Sequence, residues 1–281
     1  MPSLILLSWL FAFGLCIGSF LNVCIFRIPS KGSISDPPRS QCPQCGATIR
    51  FYDNIPVLSY LWLRGRCRHC SGGISPRYPI VEMLSGLFAV AVALRFGISL
   101  EALFYYIFIC TLLVIIFIDI DHQIIPDLLT LPGIVLFLAA SFADRSFIGY
   151  FPPAPTLMMR WAHSLSLPPM LFSSLLGILL GGGLLYLVAW GYFHFSGREG
   201  MGGGDIKLLA MIGAMIGWEG VVFTLFVGSA TGTIVGILLM IGARLRDWKL
   251  RIPFGPFLSL GAIAYIFYGA QAIHAYLLLS R

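Results

Sequence analysis

The chain has 281 residues, 58% of them hydrophobic and only 11% charged, with a mean hydropathy of +0.89. This composition excludes a soluble globular domain and defines a polytopic membrane protein. The formal net charge of +6 does not call for nucleic acid, because the basic residues flank apolar segments, where they anchor membrane helices.

Charge-free intervals at 1–26, 83–94, 102–118, 128–143, 161–197, 208–218, 220–243 and 252–280 predict an all-α fold of eight transmembrane helices, since a span needs about 20 apolar residues. The second reaches that length only by including Glu82, and the sixth only by including the residues around Asp205. If the segment after the first span is cytoplasmic, that side holds 14 of the 18 Lys and Arg residues, leaving Arg95, Arg145, Arg160 and Arg281 outside. The asymmetry predicts that both termini face outward. The first 26 residues lack a basic start and read as a retained span rather than a cleaved signal.

The first span ends Gly18-Ser19-Phe20-Leu21-Asn22-Val23, where small residues suit close helix packing and Asn22 can reach a neighbouring helix. Residues 30–78 form the one substantial polar segment. It carries Cys42-Pro43-Gln44-Cys45-Gly46 and Cys67-Arg68-His69-Cys70-Ser71-Gly72, two Cys-x-x-Cys knuckles with 21 residues between them. Cys42, Cys45, Cys67 and Cys70 can close a tetrahedron around Zn²⁺, and the glycines after each knuckle permit the tight turn. Disulfides compete with this reading, but the charge rule puts the segment in the reducing cytoplasm. Four sulfurs leave no open position, so the metal is structural, a staple for a small segment with few large apolar residues. The expected division is a first helix at 1–29, a zinc-ribbon-like insertion at 30–78 and a seven-helix membrane part at 79–281.

Glu82 lies one turn into the second helix, where the helix dipole alone explains it. The third span delivers Ile118-Asp119-Ile120-Asp121-His122, and Ile125-Pro126-Asp127 restarts the chain as a fourth helix. Asp127 suits a first-turn dipole role and Asp121 a solvated loop. Asp119 differs, because it terminates the apolar run directly. The fifth span contains Gly181-Gly182-Gly183, which suits a close helix crossing. Next comes Gly200-Met201-Gly202-Gly203-Gly204-Asp205-Ile206-Lys207, a carboxylate among glycines at the lip of an apolar segment, in a chain with only 12 acidic residues. A charge at a membrane edge is costly to keep and marks function by default. Lys207 fits snorkelling to the interface, or a hold on substrate charge. The irregular Ile252-Pro253-Phe254-Gly255-Pro256 opens the last span, and backbone of this kind at membrane depth must be buried or line a wet cavity.

The predicted topology brings Asp119 and Asp205 to one membrane face. Two close carboxylates share a proton. The ionised member can take a proton from water attacking a peptide carbonyl, while the protonated member polarises that carbonyl. The glycines before Asp205 would let an extended substrate backbone approach. Two other readings stand beside this one. Asp119, Asp205 and Glu82 could be the carriers of a proton-coupled transporter, or the chain could be a membrane anchor presenting a zinc ribbon.

These elements, together with Tyr78-Pro79-Ile80-Val81-Glu82 and Pro253-Phe254-Gly255-Pro256, resemble the prepilin peptidases, or type IV leader peptidases, which are intramembrane aspartyl proteases with a Gly-x-Gly-Asp motif. The resemblance covers nearly the whole chain, in order. It implies removal of the basic leader from type IV prepilins or type II secretion pseudopilins, at the cytoplasmic face of the bacterial inner membrane. It also implies N-methylation of the new terminus from S-adenosylmethionine, although no glycine-rich nucleotide fold is visible. By position, Asp119 and Asp205 match the catalytic pair. Gly202, Gly203, Gly204, Lys207, Asp121, Asp127 and Glu82 are candidates to support the substrate. Ranking Asp119 above Asp121 rests on the resemblance alone.

Overall fold

The computed structural model describes residues 3–30, 32, 39–143, 168–197, 202–242 and 252–279. Glu199, the basic edge Arg244–Arg251 and most of the outer loop between Asp144 and Pro169 lie outside the described residues. The helices are α1 (Leu4–Arg27), the short α2 (Leu58–Trp62), α3 (Arg77–Phe96), α4 (Leu100–His122), α5 (Asp127–Ala143), α6 (Pro169–Ser196), α7 (Gly203–Gly242) and α8 (Gly255–Leu279). Among the described residues, extended pairing amounts to two isolated bridges, Gln41 with Thr48 and Arg66 with Gly73.

Five helices, α1, α3, α4, α6 and α7, are long and apolar enough to cross a membrane, and α5 and α8 contain shorter apolar stretches. At 40 residues, a straight α7 would run about 60 Å, twice the hydrocarbon thickness. It is not one continuous helix: Gly217, at φ 71° and ψ −176°, divides it. Its two parts, 203–216 and 218–242, correspond to the sixth and seventh expected spans. Only glycine takes that backbone conformation without a Cβ penalty.

The chain packs as two compact units, Met1–Ile118 and Asp119–Arg281. In the first, α1 and α3 run antiparallel and almost touch. A Cβ on Gly14 would lie 2.7 Å from the Gly86 Cα, and one on Gly18 2.5 Å from the Glu82 Cα. Both contacts are with backbone that cannot yield. Asn22 Nδ2 donates to the Tyr78 carbonyl at 3.1 Å, and the Ser85 and Tyr106 hydroxyls pair at 2.8 Å between α3 and α4. Arg77 donates to the Phe117 carbonyl at 2.8 Å and lies over its ring. These polar groups thus find partners inside the helix pack, as an apolar surround demands.

The two knuckles fold alike. Cys42 N–H donates to the Ala47 carbonyl and Gly46 N–H back to Cys42, while Cys67 and Ser71 repeat the pattern with Gly72. The left-handed residue is Gly46 in the first knuckle, at φ 68°, but Ser71 rather than Gly72 in the second, at φ 57°. The second turn thus carries a left-handed cost of roughly 1 kcal/mol that the first avoids.

In the second unit the first half of α7 is the centre, with Leu208, Leu209, Met211 and Ile212 fully buried. α6 crosses it antiparallel along glycines. Cβ atoms on Gly177 and Gly181 would come within 2.4 Å of the Gly213 carbonyl oxygen and 2.6 Å of the Leu209 carbonyl oxygen. α5 packs on the same half, where Gly133 makes room for the Met211 sulfur. α8 packs antiparallel on the second half through Gly228 against Phe257 and Gly261 against Thr224.

Candidate active site

Asp119 follows Ile115 and Ile118, both fully buried, at the end of α4, and is itself only 5% exposed. A buried carboxylate must find donors or lose several kcal/mol. Its Oδ2 accepts the backbone N–H of Gly255 at 3.0 Å, from the first residue of α8. The neighbouring Asp121 is exposed, because residues two apart on a helix point to different faces. Burial thus separates two acids that the sequence could not rank.

Asp205 enters from α7, at the helix start, with its N–H bonded to the Gly202 carbonyl. It is an electrostatic neighbour of Asp119. Ile125 packs against both the start of α7 and the start of α8: a Cβ on Gly204 would sit 2.9 Å from the Ile125 Cβ, and one on Gly255 3.1 Å from the Ile125 Cδ1 and 2.6 Å from Asp119 Oδ2. The site is therefore built from the end of α4, the start of α5, the start of α7 and the start of α8. The glycines divide by task. Gly204 is packed shut, whereas a Cβ on Gly202 or Gly203 would meet nothing within 4 Å, leaving an open backbone edge shortly before the carboxylate in the chain.

Lys207 reaches Asp127, with Nζ 2.7 Å from both carboxylate oxygens. The pair joins the first turn of α5 to the first turn of α7 at a half-exposed surface, where such a pair contributes about 0–1 kcal/mol. It joins the start of α5 to the helix that carries Asp205. Glu82 belongs to the first unit, where its Oε2 accepts the Val57 N–H at 2.7 Å. Val57 sits at φ 61°, a strained conformation for a β-branched residue. Hydropathy gives no sign of the Gly255, Ile125 or Val57 contacts. The irregular stretch before α8 marks a special backbone but does not name its partner.

The four cysteines converge. Their sulfurs all lie within 4.8 Å of one another, and the Cys42 and Cys70 Sγ atoms are 3.9 Å apart. Tetrahedral Zn–S bonds of about 2.3 Å place sulfurs about 3.8 Å apart, so the donor set fits zinc in type, number and spacing. The backbone N–H groups of Cys45 and then Gln44 hold the Cys42 thiol down to about 7, which favours the thiolate a metal requires. Beside the centre, Arg68 donates to both oxygens of Asp53, and this contact holds the Asp53 carboxyl below its ordinary range.

Fold and site together define a multi-helix membrane protein with a carboxylate pair in one helical unit and a four-cysteine centre in the other. Residues 12–96 match the model of the Bacterial Peptidase A24 N-terminal domain, and residues 106–237 that of the Type IV leader peptidase family. The chain is 36% identical to the prepilin leader peptidase/N-methyltransferase of Pseudomonas putida, over 92% of this chain and 89% of that protein. The enzymes of the same name from Aeromonas hydrophila and Pseudomonas aeruginosa are 34% and 35% identical, over 96% and 94% of this chain and 93% and 91% of their own. No solved structure matches the chain. The chain belongs to the type IV leader peptidase family and is a membrane peptidase.

Proposed function

We propose that this protein is an aspartyl endopeptidase that removes the basic leader from type IV prepilins or pseudopilins at the cytoplasmic face of the bacterial inner membrane, and then N-methylates the exposed terminus. The observation that carries the peptidase half is the buried Asp119, held through Oδ2 by the Gly255 N–H and electrostatically coupled to Asp205. With Oδ2 engaged, Oδ1 is the oxygen turned to a reacting water. The pair holds one proton: the ionised carboxylate takes a proton from water as the oxygen attacks the scissile carbonyl, and the protonated one donates to the carbonyl oxygen. Collapse of the tetrahedral species passes a proton to the leaving amine.

Gly202 and Gly203 offer the free edge along which an extended leader would lie. Asp121, exposed beside the pair, faces the leader's basic residues, while Lys207 and Asp127 hold the frame of the site. Glu82 acts in the first unit, with the cysteine segment. A prepilin keeps its basic leader in water and its apolar helix in lipid, so its scissile bond sits at the depth of a carboxylate ending an apolar run.

The test is incubation of the purified protein with a prepilin in detergent, with products weighed by mass spectrometry. The expected result is leader removal without any proton gradient. Intact prepilin in detergent, together with solute flux in vesicles that depends on a proton gradient, would instead favour transport.

The cysteine centre holds one structural Zn²⁺, and its pairing of two distant knuckles fixes a segment with little core of its own. The Cys42→Ser, Cys45→Ser double variant is expected to lose that zinc, read by metal analysis of the purified protein. Zinc retained at one ion per chain would show the ligand set to be wrong. S-adenosylmethionine would supply an electrophilic methyl group on a sulfonium.

A further inference from the structure

The polar segment between α1 and α3 wears its largest apolar residues on the outside. α2 turns Leu58, Leu61 and Trp62 outward, at 65%, 65% and 84% exposure. Positions i, i+3 and i+4 share one helix face, so the three form a single stripe. Tyr60 faces the other way, with its ring against Gly65. Phe51 and Ile55, shortly before α2 in the chain, are exposed as well. A concentration of exposed apolar side chains like this marks a protein or membrane contact.

What meets the stripe follows from its depth. The Val57 N–H donates to Glu82 Oε2 at 2.7 Å, which ties the start of α2 to a membrane helix. Glu82 stands roughly 7.5 Å along α3 from Arg77, at 1.5 Å per residue. A Cβ on Gly18 would lie 2.5 Å from the Glu82 Cα, and Gly18 is roughly 13.5 Å short of Arg27 along α1. Arg27 and Arg77 are the polar ends of the two spans, so Glu82 lies on the lipid side of both. Helical side chains lean toward their own N-terminus, which for α3 is toward the headgroups. The Glu82 carboxylate therefore rises to the boundary, and α2 is held at that level rather than out in water.

We propose that α2 is an interfacial anchor: Leu58, Leu61 and Trp62 enter the headgroup–acyl boundary of the bilayer, and Arg64 and Arg66 meet anionic lipid headgroups. The residue types suit that depth. An indole ring favours the membrane interface, and the exposed Arg64 and Arg66 follow the stripe directly, where basic charge complements anionic lipid. Two non-glycine residues in left-handed conformation bracket the helix, Val57 at φ 61° and Arg64 at φ 51°. Backbone of this kind persists only where the surroundings over-determine it, and here it sets which face of α2 points outward. Beyond the helix, the Gly65 carbonyl accepts the Ile74 N–H at 2.7 Å and Arg66 pairs with Gly73. The anchor thereby holds the second knuckle at the membrane surface. Neither leader removal nor methyl transfer is needed for this contact.

The test places the full-length, zinc-loaded protein in nanodiscs and isolates Trp62 fluorescence as the difference between wild type and Trp62→Phe. In discs of phosphatidylethanolamine and phosphatidylglycerol with brominated acyl chains, that signal is expected to fall at least about twofold, as an indole at the headgroup–acyl boundary requires. Aqueous iodide should leave it nearly unchanged. The Leu58→Asp, Leu61→Asp double variant should reverse the pattern while keeping its zinc. Iodide quenching of the wild-type signal without bromine quenching overturns the anchor, because the stripe is then in water. Protection from both quenchers also overturns it and shows the stripe covered by protein, either a second copy or another part of this chain. For the headgroup contact, the Arg64→Gln, Arg66→Gln double variant should lower bromine quenching in phosphatidylglycerol discs to the level found in phosphatidylcholine. Equal quenching of the wild-type signal in those two lipids overturns the role of the arginines.

Discussion

Asparagine at position 119 or 205 is expected to slow leader removal by about 10³-fold, within the range that positioned acid–base groups contribute. The change keeps side-chain shape, so packing around Asp119 survives and its amide oxygen can still accept the Gly255 N–H. What disappears is a group able to take or give a proton, and a 10³-fold loss corresponds to about 4 kcal/mol of transition-state stabilisation. Because the two acids act as a unit, the double variant should be scarcely worse than either single one. Asp121→Asn gives the contrast: the exposed acid lies on another helix face, so kcat should hold while KM for a basic leader rises a few-fold. Single-turnover cleavage followed by mass spectrometry separates these outcomes. Wild-type rates in either Asp119→Asn or Asp205→Asn would remove the catalytic pair.

Much of this arrangement was legible in advance because membranes allow few solutions. Length and charge-free runs specify helices, and a helix lies at each of the eight expected positions once α7 is divided at Gly217, five of the helices being long and apolar enough to cross a membrane. Cysteine spacing likewise predicts a convergent four-sulfur centre, since two short knuckles can meet only around a common point. Tertiary partners were not legible. Asp119 and Asp121 look alike in sequence, and only packing buries one and exposes the other. Glu82 read as a dipole partner, yet it holds a strained backbone 25 positions away. Lys207 read as a snorkelling cation, but it closes on Asp127 from 80 positions along the chain. Periodicity reports a residue's own helix and says nothing about what the neighbouring helix presents.

Gly255→Ala carries the second large effect, and here local and tertiary physics disagree in sign. Gly255 opens α8, and alanine generally stabilises a helix relative to glycine by about 0.5–1 kcal/mol. Helix propensity alone therefore predicts a neutral or slightly more stable protein. At this position, however, the new Cβ would lie 2.6 Å from Asp119 Oδ2 and 3.1 Å from the Ile125 Cδ1. The carboxylate must move away from the only direction in which the Gly255 N–H can hold it, and a displacement near 1 Å can cost about 10²-fold in rate. The expected result is a kcat lowered about 10²-fold, KM changed little and a melting temperature close to wild type. Gly183→Ala is the matched control, because a Cβ there meets nothing within 4 Å, and it should cleave like wild type. A Gly255→Ala enzyme that cleaves within twofold of wild type would show that Asp119 does not need the α8 amide, and the proposed division of labour between its two oxygens would fall.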